Sequence, residues 1–199
     1  MTISYVLGNS LYLNLTNKCP NNCDFCVRNN TDHLGDAESL WLEQEPSHGE
    51  IINDLEKRDL DSFDSIVFCG YGEPLERLDE VVEVSKYIRS RTDKPIRINT
   101  NGLSDLINGK NSAERLRGLV DIVSISLNAS DSEKYDEVCH SVYGRKAFGA
   151  MLEFASASKK FIPRVILSVV DTIGAEEIEK CRAIAREIGV EYRVREYIE

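Results

Sequence analysis

The chain has 199 residues, 42% of them apolar and 29% charged, with a formal net charge of −10. That length suits one domain spanning residues 1–199, and the composition suits a globular fold. No apolar run reaches the roughly 20 residues of a membrane span, and no basic stripe suits a nucleic-acid backbone. Residues 1–8 lack the basic and apolar regions of a signal peptide. The expectation is a cytoplasmic protein, off the membrane, with nucleic acid disfavoured as a partner.

The chain alternates short apolar strands with amphipathic helices. Leu11 to Leu15 reads as the first strand. Ser47 and Glu50 have the spacing of a capping box, which opens a helix through about Lys57. Ser65 to Cys69 is a second, buried strand. Leu78, Val81, Val82, Ser85 and Ile88 share one helical face. Pro95 to Asn99 is a third strand, ended by the turn residues Asn101-Gly102.

A short helix is predicted over Ala113 to Gly118, then a β-branched strand over Asp121 to Leu127. Helices follow over about Ser132 to Cys139 and Lys146 to Lys160. Arg164 to Val170 is a strand, Ala175 to Ile188 a helix stopped by Gly189, and Val190 to Tyr197 the last strand. Alternation of this kind predicts an α/β fold with a parallel sheet. A closed eight-stranded barrel takes about 250 residues, so the expectation is an open, partial (β/α)6 TIM-like barrel. Its ligand site should lie at the C-terminal ends of the strands.

Three of the six cysteines, Cys19, Cys23 and Cys26, fall within eight residues directly after the first strand. Thiolates are soft ligands for zinc or iron–sulfur clusters. A structural zinc ion and an ordinary cluster each want four ligands. Three thiolates leave one iron of a cubane open to a substrate. The competing reading is a non-catalytic zinc or iron–sulfur module, with His33 as a fourth zinc ligand. Cys69, Cys139 and Cys181 stand apart and read as small apolar residues within their elements, so no second cluster is expected.

The spacing Cys-x3-Cys-x2-Cys resembles the signature of the radical SAM superfamily. The turn Gly70-Tyr71-Gly72-Glu73-Pro74, the strand end Asn99-Thr100-Asn101-Gly102 and the segment Ser124-Ile-Ser126-Leu-Asn128 resemble further motifs of that family, in the right order. The resemblance implies a 4Fe-4S cluster on Cys19, Cys23 and Cys26, with S-adenosylmethionine (SAM) on the open iron. It implies SAM contacts from Phe25, Gly70, Tyr71, Gly72, Glu73, Thr100, Ser126 and Asn128, with Glu73 on the amino group.

Arg193 and Arg195 alternate on the last strand and face one side. One of them is expected to reach the SAM carboxylate or an anionic substrate; the competing reading is a salt bridge at the rim. The implied activity is reductive cleavage of SAM to methionine and a 5′-deoxyadenosyl radical, which takes hydrogen from a small-molecule or peptide substrate. Ferredoxin or flavodoxin is the implied electron donor. A narrower resemblance, to the compact TatD-associated radical SAM group, is carried by residues 7–16, Leu40-Trp-Leu, Glu45-Pro46 and residues 68–74. Trp41 and His33 are candidates for a lid.

Overall fold

The computed structural model describes residues 1–32 and 34–197. Among these, seven strands form one sheet in chain order: β1 (Ser4–Leu7), β2 (Ser10–Leu13), β3 (Ser65–Phe68), β4 (Ile96–Thr100), β5 (Ile122–Ser126), β6 (Arg164–Val170) and β7 (Glu191–Arg195). β2 to β7 pair in parallel, and β1 is antiparallel to β2. The six parallel strands are the six expected from sequence. β1 is an addition, and its signal is the Gly8-Asn9 pair between Ser-Tyr-Val-Leu and Ser-Leu-Tyr-Leu. Leu7 pairs with Ser10 across that two-residue loop, where Gly8 takes φ 60°.

The helices are α1 (His48–Leu55), α2 (Leu78–Arg89), α3 (Ser104–Asn108), α4 (Ser112–Arg115), α5 (Ser132–Cys139), α6 (Lys146–Ser158) and α7 (Ala175–Ile188). Their ends follow local chemistry. The Ser47 hydroxyl accepts from Glu50 N–H, and the Glu50 carboxylate accepts from Ser47 N–H at 2.8 Å. Gly189 stops α7 at φ 76° and donates to the Ala185 and Arg186 carbonyls. The helix expected over 113–118 is one turn, α4, and α3 was not anticipated, since neither carries enough periodicity to read.

In parallel strands, residues in register point to the same side. Leu13, Phe68, Ile98, Val123 and Val165 are in register across five strands and all are buried. With Val81, Ile88, Met151 and Phe154 from α2 and α6 they make the main core. The opposite, concave face is more polar. It carries Tyr12, Arg97, Asn99, Ser124, Ser126, Ser168, Arg193 and Arg195 in register. The expected barrel interior is therefore this polar face.

Candidate SAM and cluster site

The loop after β2 carries the three cysteines and is pinned to the C-terminal end of α5. Asn22 N–H donates to the Cys139 carbonyl at 2.9 Å, and Asp24 N–H to the Val138 carbonyl at 3.1 Å. These are carbonyls that a helix end leaves without partners. Val142 N–H returns a bond to the Pro20 carbonyl at 2.8 Å. The buried Asn21 amide donates to Tyr135 Oη at 3.0 Å, and His140 Nε2 meets Asp24 Oδ1 at 2.8 Å.

Cys19, Cys23 and Cys26 are all partly exposed free thiols. Burial pushes the Cys19 thiol up to about 12. Cys23 is raised first by its hydrogen bond with the Cys139 thiol and then by burial, and Cys26 is raised by burial. The guanidinium of Arg28 opposes all three shifts. It is held in the same loop by the Asn21 carbonyl and Asn22 Oδ1, at 3.2 and 3.3 Å. Such thiols are protonated at neutral pH and yield their protons to a metal.

Among the described residues, no three His, Cys, Asp or Glu side chains gather about a point as one ion would need. A cubane takes one thiolate per iron and spreads its ligands wider than a single ion does, and three thiols within one eight-residue loop are the soft donors it takes. His33, the fourth ligand of the zinc reading, lies outside the described residues.

The motif turns close around this loop. Glu73 is buried. Its Oε1 accepts from Thr100 Oγ1 at 2.7 Å and Leu75 N–H at 3.0 Å, and its Oε2 accepts from Asn101 N–H at 2.7 Å. Burial outweighs these three donors and pushes its carboxyl up to about 7. Its own N–H donates to the Lys18 carbonyl at 2.8 Å, next to Cys19. The Asn101 amide reaches Cys19 Sγ at 3.9 Å. Asn101 was expected only as a turn residue; its contact with the cysteine is legible only once β4 lies beside the loop.

The two glycines of the turn are needed for the chain's own packing. A Cβ on Gly70 would lie 2.0 Å from Asn14 Oδ1. On Gly72 it would lie 2.2 Å from the Thr16 carbonyl oxygen and 2.6 Å from that of Lys18. Tyr71 packs edge-on against Trp41, with ring centroids 5.0 Å apart, and its hydroxyl donates to the Thr31 carbonyl. Trp41 thus covers the motif turn. The segment it belongs to is stitched to the end of β2: Asn14 Nδ2 donates to the Leu40 carbonyl at 2.8 Å, and Thr16 Oγ1 to Glu45 Oε1 at 2.8 Å.

Phe25 packs against the main core, half-buried. Ser126 lies on the concave face, in register with Ser168. Asn128 is buried in the left-handed region at φ 58°, with its amide 3.9 Å from Cys139 Sγ and its Oδ1 lacking a partner. Arg195 is half-buried, and its surroundings include Cys23, Cys69 and Arg193. Cys69, expected as a plain buried strand residue, is partly exposed; burial raises its thiol, and the neighbouring Asn99 side chain opposes that shift.

Residues 13–190 match the family model of the radical SAM superfamily, and the chain belongs to that superfamily. It is 31% identical over 129 residues to the probable dual-specificity RNA methyltransferase RlmN of Pseudothermotoga lettingae. That match takes in 60% of this chain and 34% of the relative, so the chain spans about a third of the curated relative's length.

Streptococcus suis SuiB superposes with a TM-score of 0.69 at 18% identity, over 97% of this chain and 40% of that one. SuiB is also known bound to S-adenosylmethionine and to the precursor peptide SuiA. Methylornithine synthase (PylB) gives 0.68 at 16%, over 95% and 53% of the two chains. These likenesses establish the fold, an open α/β partial barrel. Enzymes of the superfamily use a 4Fe-4S cluster and SAM.

Proposed function

We propose that this chain is a radical SAM enzyme whose cluster is held by Cys19, Cys23 and Cys26. The observation that carries the reading is the closure of Glu73, Thr100 and Asn101 onto the Cys19 loop at the C-terminal ends of β3 and β4. The bound cluster supplies the electron that splits SAM into methionine and a 5′-deoxyadenosyl radical, which takes hydrogen from a substrate.

The chain's own groups bind and orient. Glu73 Oε2 keeps one lone pair for the SAM ammonium. Asn101 donates toward Cys19 and favours its thiolate. Phe25, Gly70, Tyr71, Gly72, Thr100, Ser126 and Asn128 form the rest of the SAM cradle, and Arg195 offers a guanidinium to the SAM carboxylate. A low-potential ferredoxin or flavodoxin is the proposed reductant, and residues 1–199 act as one radical SAM core domain. The narrower likeness to the TatD-associated group is part of this proposal. Among the described residues no helix is long and apolar enough to cross a membrane.

The test is anaerobic reconstitution. The wild type should bind about four irons and release 5′-deoxyadenosine from SAM under dithionite. Alanine at any one of the three cysteines should abolish both. A protein that takes only zinc, or whose triple alanine variant reconstitutes normally, overturns the reading.

A further inference from the structure

Cys139 is a buried thiol that the proposed mechanism does not use. It is the last residue of α5, and α5 turns one face to the cysteine loop. Tyr135 and Cys139, one helical turn apart, are the buried residues of that face. Tyr135 Oη accepts from the Asn21 amide at 3.0 Å, and the Cys139 thiol is hydrogen-bonded to Cys23, two residues further along the loop. The backbone is fastened on both sides of Cys23 as well. Asn22 N–H donates to the Cys139 carbonyl at 2.9 Å, and Asp24 N–H to the Val138 carbonyl at 3.1 Å.

Backbones joined by such bonds run about 5 Å apart, inside the roughly 7 Å that the Cα atoms of a disulfide allow. The thiol–thiol contact meets the second requirement, that the sulfurs face each other. Cys26 is also near, since its N–H donates to the Cys23 carbonyl at 3.1 Å. Yet Cys139 is the thiol that acts most strongly on Cys23. The buried Asn128 amide lies 3.9 Å from Cys139 Sγ and orients that sulfur. Exposure gives the two thiols different roles. Cys23 is partly exposed and open to a small reagent, whereas Cys139 is sealed from solvent.

We propose that Cys23 and Cys139 form a disulfide in the cluster-free protein, made by a peroxide and undone by a thiol reductant. The chemistry takes two steps. The Cys23 sulfur attacks hydrogen peroxide, the O–O bond breaks, one oxygen leaves as water and Cys23 becomes a sulfenic acid. The Cys139 sulfur then attacks that sulfur: the S–S bond forms, the S–O bond breaks, and a second water leaves with the Cys139 proton. Two thiols lose two electrons, and the peroxide is reduced to two waters. A cluster would occupy the same Cys23 sulfur, so cluster and disulfide exclude each other. The purpose rests on the proposed cluster: the bond shields one of its ligands from irreversible sulfinic oxidation and returns it on reduction. The bond itself asks only for the two thiols.

The test treats the iron-free chain with a slight molar excess of hydrogen peroxide, alkylates the remaining thiols, and maps the proteolysed protein by mass spectrometry. A peptide pair joined through Cys23 and Cys139, short of the two thiol hydrogens, is expected as the main disulfide. Dithiothreitol should then restore iron uptake. Cys139→Ala should take up iron before treatment. After it, Cys23 should carry sulfinic acid, and dithiothreitol should not restore uptake. Cys181→Ala, which removes the other buried thiol, should behave as the wild type.

A Cys19–Cys23 or Cys23–Cys26 bridge as the main wild-type product overturns the inference, as does sulfinic acid on Cys23 with Cys139 alkylated. So does a Cys139→Ala chain that recovers as well as the wild type. If that variant fails to fold, the wild-type peptide map decides alone. The two readings fail separately. A chain that forms the bond but never takes up a cluster loses only the radical reading. A chain that takes up a cluster, yet leaves Cys139 unlinked after peroxide, loses only the disulfide.

Discussion

Asn101 N–H donates to Glu73 Oε2 at 2.7 Å, tying the end of β4 to the turn after β3. The same residue's side chain reaches Cys19, so one asparagine connects a carboxylate proposed for SAM with a thiolate proposed for iron.

Removing that side chain should act on the cluster. In Asn101→Ala the bond to Glu73 survives, because it comes from the backbone, while the donor to Cys19 is lost. A lost hydrogen bond of about 1 kcal/mol corresponds to roughly 40 mV for one electron. The cluster potential should fall by about that much, as read by a redox titration followed by electron paramagnetic resonance.

Glu73 should make SAM binding pH-dependent. The ammonium needs the ionised carboxylate, and its pKa in the unliganded protein is about 7. Affinity should therefore drop roughly tenfold per pH unit below that value, and Glu73→Gln should bind weakly with no such slope. Stability runs the other way. The folded value lies above that of an unfolded glutamate, so this carboxyl's contribution is complete below about 4.5 and is lost as pH rises through about 7. Urea midpoints of cluster-free wild type should fall across that window more than those of Glu73→Gln.

Gly72→Ala should damage the site through packing. Its methyl would press on two carbonyl oxygens of the segment entering the cysteine loop. Overpacking of this kind costs about 1–3 kcal/mol. Denaturant midpoint and iron content should fall together. Gly49→Ala, with no atom within 4 Å of the added carbon, should do neither.

The loop's anchors should differ sharply in worth. Tyr135→Phe leaves the buried Asn21 amide without its acceptor, which costs about 1–3 kcal/mol. Asp24→Asn breaks an exposed contact with His140, worth about 0.2–1 kcal/mol. Thermal denaturation of the two variants checks the ranking.

The parallel strands and long helices were legible because their apolar period and caps are local, as at Ser47 with Glu50 and at Gly189. The placing of Cys19, Glu73, Thr100 and Ser126 at successive strand ends combines that pattern with the resemblance to the superfamily's motifs. Contacts made across the sheet were not. Cys139 reads as helix core and is buried, yet it also touches Cys23. Asn101 reads as a turn residue, and only the packing of β4 beside the cysteine loop brings it to Cys19. The close approach of the Thr16 and Lys18 carbonyls to Gly72 is likewise set by the fold and not by any local pattern.

The bonds that fix the cysteine loop to α5 are all between protein groups, and none waits on iron. Maturation should therefore be a late insertion into a finished cradle. Iron-free polypeptide is expected to show the same far-ultraviolet circular dichroism as the loaded protein.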